Sequence, residues 1–295
     1  MTAHAHLIPE VAAALELPLL ERIEFCQMDR WVGYTRAQQI LKQLDDVFAY
    51  PKSLRMPNIL LVGRSDNGKS SIVQHFVHRH PMIMREDGSP GPCVAWVSMP
   101  ATPSESSFWS EVLWSLNIRH GERDPPEKKR RQAFDAMEYA SVRVLAIDEF
   151  NHLTNAGKDA AKLLAAIKNI STALRIPIIA SGTQAAINAL NSDPQMKSRF
   201  EPAVLDRWKL DREYLRFLAS YETFLPLAQP SNLAGREIAP TIYGMAGDTI
   251  GGTVKLLKSA ASHALRTGHE RIDAGVLASM NYVRSGDWDE AARRA

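Results

Sequence analysis

Leu60-Leu61-Val62-Gly63-Arg64-Ser65-Asp66-Asn67-Gly68-Lys69-Ser70-Ser71 is the stretch whose reading decides the fold. An apolar run, Ile59 to Val62, ends at Gly63, and an amphipathic segment begins at Ser71, so the glycine pattern lies between a strand and a helix. In that setting the loop's N–H groups and the positive end of the helix dipole converge on one anion. Gly63 and Gly68 permit a tight turn and close approach of backbone to phosphate, where a Cβ would obstruct. Lys69 then reaches the β- and γ-phosphates, and the Ser70 hydroxyl is placed to bind Mg²⁺. The residues from Gly63 through Arg64, Ser65, Asp66, Asn67, Gly68, Lys69 and Ser70 to Ser71 are thus read as one nucleotide cradle.

A second strand supplies what that cradle lacks. Val142 to Ile147 is apolar and ends in Asp148-Glu149. Asp148 can hold Mg²⁺, and Glu149 can orient and deprotonate a water for attack on a γ-phosphate. An acidic pair after an apolar strand says little alone; joined to the loop it predicts hydrolysis. Ile176 to Thr183 reads as a further buried strand with a polar end, where Ser181 or Thr183 can touch the γ-phosphate or the attacking water, or merely finish a strand. With Val94 to Val97 and Ala203 to Trp208 as the other strands, and helical spacing between them, the chain predicts a parallel sheet covered on both faces, an α/β fold.

Composition is that of an ordinary folded protein: 295 residues, 45% hydrophobic and 23% charged. The formal net charge of +2 neither demands nor excludes a nucleic acid, so any DNA contact must come from a local patch. The densest basic run is Lys128-Lys129-Arg130-Arg131, read either as a solvated helix start or as a contact to a phosphate backbone. Cys26 and Cys93 lie beside apolar residues, which points to reduced buried thiols and a cytoplasmic protein. No run approaches the roughly 18 apolar residues that span a bilayer, and Val11 to Leu15 lacks the basic leader of a signal peptide.

The organisation divides into an N-terminal helical region, 1–55, a nucleotide-binding core, 56–210, and a helical C-terminal domain, 211–295. In the first, Arg36 to Phe48 carries apolar residues at helical spacing, and Pro51 and Pro57 end the region. Trp31 and Tyr34 are read either as adenine contacts or as packing residues. Phe108 and Trp109 recur with Val112, Leu113 and Leu116 at helical spacing and are read as core.

Together these motifs resemble the AAA+ ATPases, and more narrowly the TniB/TnsC group of transposition ATPases, related in role to the phage Mu target-selection ATPase. The narrower resemblance rests on Asp29-Arg30-Trp31 with Tyr34, Arg55-Met56-Pro57-Asn58, the loop itself, Ile147-Asp148-Glu149 with His152-Leu153, Ile176-Pro177, Gly182-Thr183, Gln195 with Ser198-Arg199-Phe200-Glu201, and Leu225-Pro226-Leu227 with Pro230-Ser231. Asn151-His152 reverses the expected order after the acidic pair, and Ser70 stands where threonine is common. The resemblance implies ATP and Mg²⁺ as ligands and a slow regulatory ATPase in the bacterial cytoplasm. It implies rings or helical filaments on double-stranded DNA, and partners in a DDE transposase (TniA/TnsB-like) and a target-selection protein (TniQ-like). It also implies that Arg199 is a cation supplied in trans to a neighbour's γ-phosphate, against the alternative of an ion pair with Glu201 or Asp206. The helical C-terminal domain becomes a lid, with Lys255 a poor stand-in for a sensing arginine. The competing reading is an ATP-gated protein-interaction switch, a loader or signalling ATPase, that needs no DNA.

Overall fold

The computed structural model describes residues 4–283. Five strands, β1 Asn58–Gly63, β2 Cys93–Ser98, β3 Val142–Asp148, β4 Ile178–Gly182 and β5 Phe200–Leu205, form one sheet in the order β2-β3-β4-β1-β5. All neighbouring pairs are parallel. Every residue of β1 and β4 is buried, which is why these strands read as continuous apolar runs rather than alternating ones. The sheet's C-terminal edge therefore gathers the ends of β1, β3 and β4, where the predicted phosphate loop, acidic pair and polar strand end all fall.

The last strand begins three residues earlier than its sequence pattern suggested and ends at Leu205. Phe200, Glu201 and Pro202 do not look like a buried strand because β5 is an edge: it pairs with β1 alone, and a proline without an N–H is tolerated there. Helices Lys69–Arg79, Glu105–Ser115, Pro126–Tyr139, Ala160–Ala173 and Gln184–Asn191 accompany the sheet. Phe108 and Trp109 are completely buried in its main apolar cluster, as their spacing predicted. Ser104 and Ser107 form a reciprocal capping box that fixes the start of that helix. The basic run lies in the first turns of the Pro126–Tyr139 helix, whose opening proline and Glu127 suit a helix N-terminus.

The chain forms two compact units, and their boundaries differ from the three-part division read from sequence. One unit runs from Arg36 to Asp206; the other joins the chain through Thr35 to the segment from Arg207. The reason is long-range packing. The Thr35–Ala49 helix buries Ile40, Leu41, Leu44 and Val47, and its Asp45 pairs with His80, so it belongs with the sheet. Ile23 and Cys26 instead join Tyr214, Phe217, Leu256 and Ala260 in a separate helical core. There Tyr34 packs edge-to-face on Trp208 with ring centroids 4.9 Å apart, the packing role of the two considered for it. Arg22 grips Glu270 through both guanidinium nitrogens, at 2.9 and 2.6 Å, and its second nitrogen also donates to the Pro226 carbonyl.

Both cysteines are free and buried, and burial pushes the Cys26 thiol up to about 12. Among the described residues no helix is long and apolar enough to cross a membrane.

Candidate nucleotide site

Strand β1 delivers the chain into the loop, and Asp66 (φ +59°) and Gly68 (φ +81°) turn it into the Lys69–Arg79 helix through left-handed backbone. The first-turn N–H groups of that helix, at Lys69, Ser70 and Ser71, have no intrahelical acceptor and face an incoming anion. Arg64, Ser65 and Asp66 are exposed on the outer turn of the loop, and Ser71 is exposed on the helix. Lys69 spans the loop, its Nζ donating to the Arg64 carbonyl at 2.7 Å. Burial lowers the Lys69 ammonium from its ordinary value, while Glu149, Asp148 and Asp66 pull the other way. Those opposing influences bring the cation and both predicted acids into one electrostatic neighbourhood.

Asn67 does something its spacing did not announce. It is buried, and its amide donates to the carbonyls of Leu205 at 3.1 Å and Asp206 at 2.9 Å, clipping the loop to the end of β5. Gly63 is needed for the same contact: a Cβ there would lie 3.0 Å from the Leu205 Cβ and 3.2 Å from its carbonyl oxygen. Close strand packing thus leaves little room for a side chain at 63.

At the end of β3, Asp148 is almost fully buried. One carboxylate oxygen accepts from the Glu149 N–H at 2.9 Å and from the Ser181 hydroxyl, leaving the other for a metal. Ser181 is itself fully buried, so its hydroxyl orients Asp148; this corrects the expectation that Ser181 touches nucleotide or water directly. Thr183, half-buried just past β4, keeps that possibility. Glu149 has left-handed backbone (φ +52°), uncommon for a residue with a side chain, and its carboxylate is exposed. Asn151 donates to it at 3.1 Å, and His152 Nε2 lies 3.9 Å away. Neither contact was read from the sequence, where the only signal was the Asn151-His152 order.

The Ser70 hydroxyl in the first helical turn and the second oxygen of the buried Asp148 carboxylate are hard oxygen donors of the kind Mg²⁺ takes beside a polyphosphate.

Arg199 stands at the other end of the sheet, immediately before β5. Asn58 and Gly63 pair with Phe200 and Leu205, so the length of β1, about 16 Å at 3.3 Å per residue, separates Arg199 from the loop. Its guanidinium donates to Thr172 Oγ1 at 3.1 Å rather than pairing with Glu201 or Asp206. Beside it Arg55 donates to the carbonyl and hydroxyl of Ser198, each at 3.0 Å, and Lys168 to Gln195 at 2.6 Å. These cations meet only neutral acceptors in those contacts.

The basic run separates by burial. Lys129 is only 2% exposed and its ammonium donates to Ser106, Ser110 and the Glu122 carbonyl, so it is a packing element, not a contact for a phosphate backbone. Lys128, exposed, pairs with Asp124 at 2.9 Å; Arg130 and Arg131 are exposed. Lys255 is exposed on the Ile250–Thr267 helix of the helical unit.

The fold has relatives among solved structures. Aeropyrum pernix ORC2, in ADPNP and ADP complexes, aligns over 90% of this chain and 74% of its own, with a TM-score of 0.63 and 16% identity. Aeropyrum pernix ORC1 in complex with DNA aligns over 87% and 68%, with a TM-score of 0.56 and 11% identity. Cdc6p from Pyrobaculum aerophilum aligns over 84% and 67%, with a TM-score of 0.58 and 18% identity. Among curated proteins none matches the sequence. Phosphate loop, acidic strand and β2-β3-β4-β1-β5 order define an ATPase with the AAA+ fold. The pattern of the family described as "Bacterial TniB protein" matches residues 22–210, well over half the chain, and the protein belongs to the TniB family.

Proposed function

We propose that the protein is an ATP-dependent AAA+ regulator of DNA transposition. It oligomerises as a ring or helical filament on target double-stranded DNA and links a TniQ-like target selector to a TniA/TnsB-like DDE transposase, and hydrolysis drives disassembly. One observation carries the reading: the loop and acids lie at one end of the sheet and Arg199 about 16 Å away at the other, so one copy cannot bring them together.

In this scheme Lys69 and the loop N–H groups hold the β- and γ-phosphates, and Thr183 senses the γ-phosphate. Ser70 and Asp148 would hold Mg²⁺, which would neutralise phosphate charge when bound. Glu149 takes a proton from the attacking water, and the neighbour's Arg199 stabilises charge in the transition state. Lys255, in the lid, contributes weak sensing at most. Family membership supports the transposition role, and the fold relative solved with DNA supports a nucleic-acid partner.

Electron microscopy of the protein mixed with duplex DNA and a non-hydrolysable ATP analogue tests the proposal. Ordered DNA-bound oligomers are expected, and their absence overturns it. The burial of Lys129 and the Lys128–Asp124 pair reduce the basic patch, which favours the second reading, a switch that needs no DNA. Nucleotide-dependent oligomers that form equally without DNA would establish that alternative.

A further inference from the structure

We propose that Asn151 is a positioning residue for the Glu149 carboxylate, tying it to the end of β4. The inference rests on the reading of Glu149 as the base. Asn151 is engaged at both ends of its amide: Nδ2 donates to Glu149 Oε2 at 3.1 Å, and Oδ1 accepts from the Thr183 N–H at 3.3 Å. A backbone N–H can only donate, so Oδ1 must face Thr183, and that leaves Nδ2 for the carboxylate. The amide orientation follows from its partners.

The surroundings are built for this amide. A Cβ at Gly182 would lie 2.8 Å from Ala186 Cβ, 3.0 Å from Asn151 Oδ1 and 3.2 Å from the Asn151 backbone nitrogen, so glycine there leaves room for both Ala186 and Asn151. On the other flank His152 Nδ1 lies 2.9 Å from the Met99 carbonyl, which only accepts, so that nitrogen carries a proton. Its Nε2 is 3.9 Å from Glu149 Oε2, beyond hydrogen-bond distance. The hydrogen bond from Asn151 is therefore what fixes the carboxylate, while the left-handed backbone at Glu149 sets its starting direction.

With Oε2 held, Oε1 is left to act. The proton of the attacking water passes to Oε1 as the water oxygen bonds the γ-phosphorus, and the bridging oxygen leaves on ADP with the electron pair of the broken bond. Because the same amide is bound to Thr183 N–H, a shift at the end of β4 on γ-phosphate binding reaches the base through one side chain.

The test uses the full chain and measures kcat, KM and fluorescent ATP-analogue affinity for Asn151→Ala, Asn151→Asp, Glu149→Gln and the double variant Asn151→Ala/Glu149→Gln, with thermal unfolding as a check of folding. Asn151→Ala should lower kcat about tenfold, a fraction of the full contribution of a general base, with KM and affinity within about twofold. Asn151→Asp keeps the shape but replaces the Nδ2 donor with an oxygen of like charge, so it should not rescue kcat, with KM again within about twofold. The charged and titratable groups facing Glu149 are Lys69, Asp148 and His152, which both variants retain. The double variant should be no slower than Glu149→Gln alone, because the amide acts only through that carboxylate. A wild-type kcat in folded Asn151→Ala or Asn151→Asp, or an additive loss in the double variant, overturns the proposal. Wild-type turnover in Glu149→Gln would instead overturn the base assignment itself, and the role of Asn151 with it.

Discussion

The two ends of the central sheet are built to opposite specifications. At the C-terminal edge, Asp148, Glu149, Asn151 and Ser181 form a continuous network of hydrogen bonds around a buried acid, and the partly buried Lys69 ammonium lies within their electrostatic reach. At the N-terminal edge, Arg55, Lys168 and Arg199 donate only to hydroxyl, amide and carbonyl oxygens. The first edge sets acids and an ammonium within electrostatic reach of one another in one chain; the second holds positive charge on neutral acceptors without a carboxylate. Cations held in place by neutral acceptors are pre-oriented and still available to an anion from outside. The difference is the one the proposed assembly requires: if Arg199 serves a neighbour's nucleotide, the reaction centre is divided between the ends and is completed only when copies stack.

The largest expected effect breaks that division directly. Arg199→Ala should lower ATP hydrolysis by roughly 10³-fold or more, as removal of a trans cation does, while ATP binding persists. Mixing it with Lys69→Ala, which supplies an intact Arg199 but binds no nucleotide, should restore part of the rate. Failure of rescue in a steady-state assay would return Arg199 to a purely local role. Glu149→Gln attacks the other edge and should cost roughly 10²–10⁴ in kcat with ATP retained and the assembled state trapped, read by sedimentation alongside phosphate release.

A change outside the sheet sharpens the contrast. Arg22 holds the Glu270 carboxyl below its ordinary value of 4.5, with the Ala228 N–H assisting. Glu270→Gln should therefore destabilise the helical unit by about 1.5–3 kcal/mol in urea unfolding at neutral pH, without changing ATP affinity. A lowered folded-state pKa means that the contribution is present above pH 4.5 and is lost as pH falls through the folded value, so wild type and variant should converge in acid. The smallest effect concerns the basic run. Replacing Arg130 and Arg131 by alanine should flatten the salt dependence of DNA binding, by about 0.9 in logarithmic slope for each phosphate no longer neutralised. Lys129→Met should leave that slope unchanged and lower stability instead. Equal slopes in all variants would move the DNA surface elsewhere.

Much of the C-terminal edge was legible because its chemistry is local. Gly68, Lys69 and Ser70 owe their positions to a strand–turn–helix sequence, and Asp148-Glu149 to the last residues of an apolar strand. The remainder depends on contacts that spacing does not carry. Ser181 and Thr183 are two residues apart and equally polar, yet one lies inside β4 against Asp148 and the other beyond its end. Lys129 is indistinguishable by type from Lys128, and only helix rotation buries it under Ser106 and Ser110. The unit boundary at Thr35 was hidden because Ile23 and Cys26 find their apolar neighbours some two hundred residues later in the chain. Arg199 was singled out through family resemblance; its distance from the loop emerged only from the register of β1 on β5.

The Asn67 clip gives β5 a mechanical meaning. The strand is fastened to the phosphate loop at Leu205 and Asp206, and its opposite end leads directly into Arg199. If Arg199 serves the next copy's nucleotide as proposed, a single short strut of extended chain would join the two sites. In a row of such subunits, each strut would connect consecutive nucleotides in series, and a displaced loop would push on the next site through six residues of backbone.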